Sequence, residues 1–169
     1  IHYQGYDPTV SLASPPIGSL FSDHHRQYIS FGDLPSMWVD AIVSTEDHRF
    51  FSHHGISPFG IIRAVQTNIL AGRVVSGGST LTQQTAKNLF QRPDRSFTSK
   101  AGEALNALRL EYYYGKEQIL EFYANQFHVN ANGRGIAIAA RYFFNKEVSE
   151  LTLVECAFIA GMVKGPNLY

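Results

Sequence analysis

The stretch "GGSTLTQQTAKNLF", Gly77 to Phe90, decides how this chain folds. Two glycines loosen the backbone, and Thr80 followed three residues later by Gln83 has the form of a capping box. A helix therefore opens at Thr80 and runs on without a breaker, with Gln83 and Lys87 four apart on one face. The stretch has two chemical readings. Glycines let a backbone approach a ligand, a helix start turns its free N–H groups outward, and Ser79, Thr80 and Lys87 add donors, which together make a pyrophosphate seat. The alternative is a capped helix after a turn, since the pattern is not a Walker loop.

Helical spacing continues on both sides. Upstream, Trp38, Ala41, Ile42 and Thr45 recur behind a Pro-Ser start and predict an amphipathic helix from Ser36 to about Glu46. Ser57-Pro58 is an N-cap and N1 pair. After it Ile61, Ile62, Val65 and Ile69 form a stripe closed by Gly72, whose apolar face suits either the core or a lipid interface. Downstream, "TSKAGEALNALRLEYYY" predicts a helix ended by Gly115, with Ala101, Leu105, Leu108 and Tyr112 as its buried stripe. Lys100 and Glu103 share a different face of it with Ala107 and Leu110. A helix over about Glu117 to Phe127, a loop "NANGRG" and a short helix "IAIAARYFF" follow. The last helix is opened by the box Thr152 to Glu155 and stopped at Gly165-Pro166. Residues 1–35, with Pro8, Pro15, Pro16, Pro35 and one strand-like run "QYISF", read as a lead-in with little regular structure, leaving 36–169 as one mostly α domain.

The totals narrow the function. A length of 169 residues fits one body with a real core. Fourteen basic residues against fourteen acidic ones leave no net charge, which argues against nucleic acid as a partner and confines any anionic ligand to a local cluster. Cys156, the single cysteine, sits in the apolar run "LTLVECAFIAGMV", so it forms no intrachain disulfide and reads as a core residue. No run reaches the roughly eighteen apolar residues of a membrane span. Opening at Ile1 without a leader, the sequence reads as a piece of a longer chain, cut short at its C-terminal end as well.

Polar chemistry concentrates in "TEDHRFFSHHG", Thr45 to Gly55. Glu46 falls at a helix C-terminus, where the macrodipole disfavours negative charge, and beside Phe50 and Phe51 it has the setting of a general base. The bland reading is a surface acidic pair, Glu46 and Asp47, answering Arg49. His48, His53 and His54 match no standard zinc spacing, and His53 reads better as a brace for the loop or a partner of Glu46. Glu103, one turn from Lys100, is either a helix-surface ion pair or a second carboxylate facing a cleft.

Taken together, these segments resemble the glycosyltransferase family 51 domain, found in class A penicillin-binding proteins and monofunctional transglycosylases. The first motif of that family appears at Glu46, Asp47, Phe50, His53 and Gly55, and the second at Ser79, Thr80, Thr82, Gln83, Gln84, Lys87 and Asn88. Lys100 and Glu103 keep the third, Glu121, Tyr123 and Asn125 the fourth, and "LTLVECAFIAGMVKGP" the fifth. The match runs from about Val43 to Tyr169 in family order. Ser99 stands where the family has an arginine, leaving Arg95, Arg109 or Arg134 to replace it, and Asn130 and Asn132 stand where it has glycines.

The resemblance implies a lysozyme-like helical lobe with a smaller membrane-facing jaw. It implies a peptidoglycan glycosyltransferase that polymerises lipid II into β-1,4 glycan with inversion and release of undecaprenyl diphosphate. Its catalytic residues are Glu46 as base and Glu103 on the leaving-group side. Asp47, Ser79, Thr80, Gln83, Gln84, Lys87, Lys100 and Asn125 bind substrate and diphosphate, and Phe50, His53 and Gly55 support the first motif. A loosely held Mg²⁺ or Mn²⁺ is implied at Glu103 together with the substrate diphosphate. The implied partners are lipid II, the growing lipid-linked strand, the membrane surface and a transpeptidase domain in the same parent chain. The implied location is the outer side of the bacterial cytoplasmic membrane. Two rival readings are a lysozyme-like glycan-cleaving enzyme with paired acids and a catalytically weak module that binds lipid II or glycan.

Overall fold

The computed structural model describes residues 28–73, 75, 77–90, 96–129 and 133–164. These form seven α-helices: α1 (Ser36–Glu46), α2 (Pro58–Ala71), α3 (Leu81–Phe90), α4 (Phe97–Tyr113), α5 (Lys116–Gln126), α6 (Ile136–Phe144) and α7 (Leu153–Lys164). Short 3-10 turns lie at Phe31–Asp33, Phe50–Ser52 and Val148–Glu150. An isolated antiparallel bridge, His128 to Arg134, is the only β pairing among the described residues, so the protein is mostly α as expected.

The helix ends follow the local chemistry of the sequence. Ser57 Oγ accepts from Gly60 N at 3.1 Å to start α2, and Gly72 ends it in the left-handed region at φ 64°. The box at α3 is closed both ways, Thr80 N donating to Gln83 Oε1 at 3.0 Å and Gln83 N to Thr80 Oγ1 at 3.1 Å. Ser96 caps α4, which ends at Tyr113, while Gly115 serves as the N-cap of α5. At α7 the Thr152 backbone N–H donates to Glu155 Oε2 at 2.8 Å. Lys146 also bonds that carboxylate, and with the cap it holds Glu155 down to about 2. Gly165-Pro166 and the asparagines 130 and 132 lie outside the described residues.

One core joins α1, α5, α6 and α7, with Trp38, Ile42, Ile119, Leu120, Ile136 and Ile159 fully buried. Cys156 is buried within it as a free thiol. Leu81 carries the start of α3 into the same core, and farther along Ala86 meets Ala107 and Leu110 of α4 in a second, smaller contact. Two glycines are needed at crossings. Gly55 has φ +90° and a Cβ there would sit 2.9 Å from Ala107 O, while Gly135 has φ +92° with Ala124 O at 3.0 Å.

Of the two apolar stripes, that of α2, read as suiting either the core or a lipid interface, does not join the core, and that of α4, read as buried, is corrected. On α2 only Ala64 is buried, and Ile61, Ile62, Val65 and Ile69 are exposed, so that face is not core. On α4 the expected stripe points outward: Leu105 is 62 % and Tyr112 83 % exposed, with Ala101 and Leu108 exposed too. The face carrying Glu103, Ala107 and Leu110 is the buried one. Periodicity identified an apolar face on each helix without saying what covers it.

The lead-in is only partly described, since residues 1–27 lie outside. Tyr28 to Ser30 form no strand. Ile29 and Leu34 belong to the main core, so packing shows no boundary after residue 35. This segment is fastened to α5. Ile29 N donates to Asn125 Oδ1 at 2.9 Å, Asn125 Nδ2 donates to Ile29 O at 2.8 Å, and Phe31 N donates to Glu121 Oε2 at 2.7 Å. Tyr28 Oη donates to Glu121 Oε1 at 2.5 Å, and its hydroxyl is pushed up to about 12 by burial and then by that carboxylate.

The two faces of α4 are distinguished by truncation. Leu110→Ala is expected to cost about 2–4 kcal/mol of unfolding free energy, and Leu105→Ala less than about 0.5 kcal/mol. Urea denaturation of the two variants measures the difference.

Candidate active site

Glu46 is the last residue of α1 and is half-buried. Its Oε2 accepts from Gln84 Nε2 at 2.9 Å. Its Oε1 is buried and has no hydrogen-bond partner among the described residues. A desolvated carboxylate oxygen left without a donor is costly and is a ready proton acceptor. Behind Gln84, Tyr123 Oη donates to Gln84 Oε1 at 3.4 Å. Burial and then the nearby Glu46 charge push the Tyr123 hydroxyl well above its ordinary range.

Asp47 leaves the helix and turns inward. Its Oδ2 takes the ring N–H of His53 Nε2 at 2.8 Å and accepts from Leu81 N at 3.1 Å, so it fastens the end of α1 to the start of α3. His53 therefore partners Asp47 and not Glu46. Phe50 is fully buried behind this loop, whereas Phe51, expected beside it against the core, is 58 % exposed.

Of the two readings at the start of α3, the hydrogen bonds there are those of a capped helix. Thr80 N is bonded to Gln83, Leu81 N to Asp47, Gln83 N to Thr80 Oγ1 and Gln84 N to Thr80 O. The Thr80 hydroxyl donates to Gly55 O at 2.6 Å. These groups are spent internally, so Thr80 and Gln83 are structural and the outward donors expected of them are absent. Gln83 and Lys87 do not act on a common open face either, since Gln83 is buried and Lys87 exposed.

Cationic groups stand at both ends of α3. At the N-terminal end, Lys100 Nζ donates to Ser79 Oγ at 2.9 Å and pairs with the buried Glu103. Toward the C-terminal end, Lys87 lies one turn beyond Gln84. Lys87 and Arg134 both press on His128, whose ring is lowered by burial first and then by these two cations. A narrow crevice runs between α1, α2 and residues 77–80, lined by Glu46, Ser79, Arg49 and Arg63. Lys87 and Glu103 are not on its lining.

Of the remaining expected residues, Asn125 is corrected: its side-chain amide is spent on Ile29 and Glu121 O. Arg109 faces outward beside a separate groove on α4, and Arg95 lies outside the described residues. Among the described residues no three His, Cys, Asp or Glu side chains come together. The described residues thus offer no protein-only cage for Mg²⁺ or Mn²⁺, and Lys100 already meets the carboxylate of Glu103. Sequence reasoning placed Tyr123 in a motif without a role and missed Glu111 altogether. The nearly buried Glu111 carboxylate takes Thr82 Oγ1 and Lys116 Nζ, each at 2.6 Å, joining α3, α4 and α5.

Because Asp47 is buried and doubly bonded, Asp47→Ala strands Leu81 N and His53. It is expected to lower unfolding free energy by about 2–4 kcal/mol, read by denaturant titration.

The family model described as Transglycosylase matches residues 14–169. Penicillin-binding protein 1B of Haemophilus influenzae is 44% identical over 163 residues, covering 94% of this chain and 21% of that protein. Penicillin-binding protein 1A of Neisseria cinerea is 41% identical over 169 residues, 99% of this chain and 21% of that protein, and the protein of the same name from Neisseria gonorrhoeae is 38% identical over the same span. The chain spans about one fifth of the length of these curated relatives. With a family match over nearly its whole length and relatives about 40% identical across it, the chain belongs to the transglycosylase family, the peptidoglycan glycosyltransferases of glycosyltransferase family 51.

Proposed function

We propose that this chain polymerises lipid II, with Glu46 as general base. The observation that carries the reading is the Glu46 carboxylate, with Oε2 held by Gln84 and Oε1 buried but unpartnered at a crevice edge. The Glu46 carboxylate takes the proton of the acceptor sugar's 4-hydroxyl as the hydroxyl oxygen bonds the donor's anomeric carbon from the face opposite the leaving group. The anomeric C–O bond breaks with its electron pair leaving on the lipid diphosphate, so the configuration inverts. Base catalysis of this kind contributes about 10²–10⁴-fold.

The leaving group needs its charge met more than it needs a proton. Lys87 and Lys100 supply that charge, with Ser79 beside Lys100. Glu103 orients Lys100, an ion-pair geometry and not that of a proton donor, which favours synthesis over the paired-acid glycan cleavage of a lysozyme-like enzyme. A divalent ion would be brought by the diphosphate and shared with Glu103, supplying further charge neutralisation.

The outward apolar faces of α2 and α4 support a lipid-facing jaw. Ile69 is 73 % and Leu70 89 % exposed, and each such side chain gains about 1.5–3 kcal/mol when removed from water. No helix among the described residues is long and apolar enough to cross a membrane. The proposed setting is the outer surface of the bacterial cytoplasmic membrane, where both lipid-linked substrates lie. A transpeptidase domain in the same parent chain completes the proposed partners.

Three outcomes test the reading. Glu46→Gln is expected to lose lipid II polymerisation by about 10²-fold or more while still binding lipid II; a full polymer ladder on a gel from this variant would falsify it. Lys87→Ala is expected to weaken a diphosphate-bearing lipid by about tenfold in titration, with unchanged affinity removing Lys87 from the site. The double change Ile69→Asp, Leu70→Asp is expected to abolish sedimentation with phosphatidylglycerol vesicles and to shift stability by less than about 1 kcal/mol.

A further inference from the structure

We propose that Tyr123 is a positioning residue for Glu46 and acts through the side-chain amide of Gln84. The inference rests on the reading of Glu46 as the base and adds how its two oxygens become unequal. Gln84 can present either end of its amide to Glu46. Only the NH₂ end is favourable, because the carbonyl end would face a carboxylate with two acceptors in contact. Tyr123 braces that orientation from behind: its hydroxyl donates to Gln84 Oε1 at 3.4 Å, which holds the amide with Nε2 on Glu46 Oε2 at 2.9 Å.

Tyr123 is suited to this on three counts. It is 1 % exposed on α5, so water does not compete for its hydroxyl. Its ring is anchored in the main core and packs against Phe127 with centroids 6.2 Å apart. Burial and then the Glu46 charge push its hydroxyl well above the ordinary range, which favours the donor form. With Oε2 engaged, Oε1 is the oxygen left to accept, and it is the one with no partner among the described residues. The relay therefore runs from the core, through α3, to the end of α1.

The test uses Tyr123→Phe, which removes one oxygen and keeps the ring, with Gln84→Met, which keeps the length of Gln84 and removes both polar ends. In the whole chain with lipid II, Tyr123→Phe is expected to lower kcat about tenfold with KM and melting temperature nearly unchanged. Adding it to Gln84→Met is expected to cost nothing more, because the path is already cut. A kcat within twofold of the parent overturns the relay, as do losses that multiply in the double variant or a loss that appears as KM. A second readout needs no turnover. The Gln84 side-chain amide signals, identified in a ¹⁵N spectrum by their absence in Gln84→Met, are expected to move toward solvent-exposed values in Tyr123→Phe, and unmoved signals overturn the relay. Should Tyr123→Phe not fold, Gln84→Met carries the kinetic test alone: a parent-like kcat overturns the relay. Retained polymerisation by Glu46→Gln removes the base assignment instead, an outcome the amide signals tell apart.

Discussion

The Asp47 carboxylate, receiving Leu81 N and the His53 ring, is the constraint on which the rest of the site depends. It bonds the first turn of α3 directly to the residue after α1, so the two helices cannot slide past one another without stranding a buried charge. Glu46 is the neighbour of Asp47 and remains helical, while Asp47 leaves helical geometry at φ −158°, ψ 71°. The two carboxylates therefore diverge: one is consumed inside and the other is carried out toward Gln84. A pair that reads as duplicate acidity is a structural tie beside a chemical group.

The same division runs through the second and fourth motifs. Thr80, Gln83, Asn125 and Glu121 use their polar atoms on backbone partners that set where α3 and the segment before α1 lie. Glu46 retains a buried oxygen without a donor, and Lys87 stays exposed. Saturation of hydrogen-bonding capacity, more than motif membership, separates the residues that tie the helices together from those that keep polar atoms unused. Glu111 belongs to the first kind: a nearly buried anion met by Thr82 and Lys116, with the Lys116 ammonium also 4.4 Å from the Phe50 ring centre.

How much was legible in the sequence follows from how local each cause is. The caps at Ser57, Thr80 and Thr152 and the stop at Gly72 depend on neighbours within one turn, and each was readable. The burial of α4 was not, because its inward side is built from Glu103, Ala107 and Leu110 while its larger apolar side chains point away. Small residues there let α3 approach closely, a tertiary reason that periodicity cannot carry. Likewise the resemblance identified Asp47, Thr80, Gln83 and Asn125 as important without revealing that they are internal ties. The link from Tyr123 to Glu46 spans three helices, so no spacing rule contains it.

The fastening of residues 28–31 onto α5 has a mechanical side. Glu121 and Asn125 grip that backbone at Ile29 and Phe31 through bonds to main-chain atoms, independent of the side chains there. A pull arriving along the chain ahead of Tyr28 is thus borne first by α5, at residues on either side of the tyrosine that backs Gln84, and only then by α1. The helix that fastens this segment is therefore also the one that carries the core-anchored tyrosine behind Gln84.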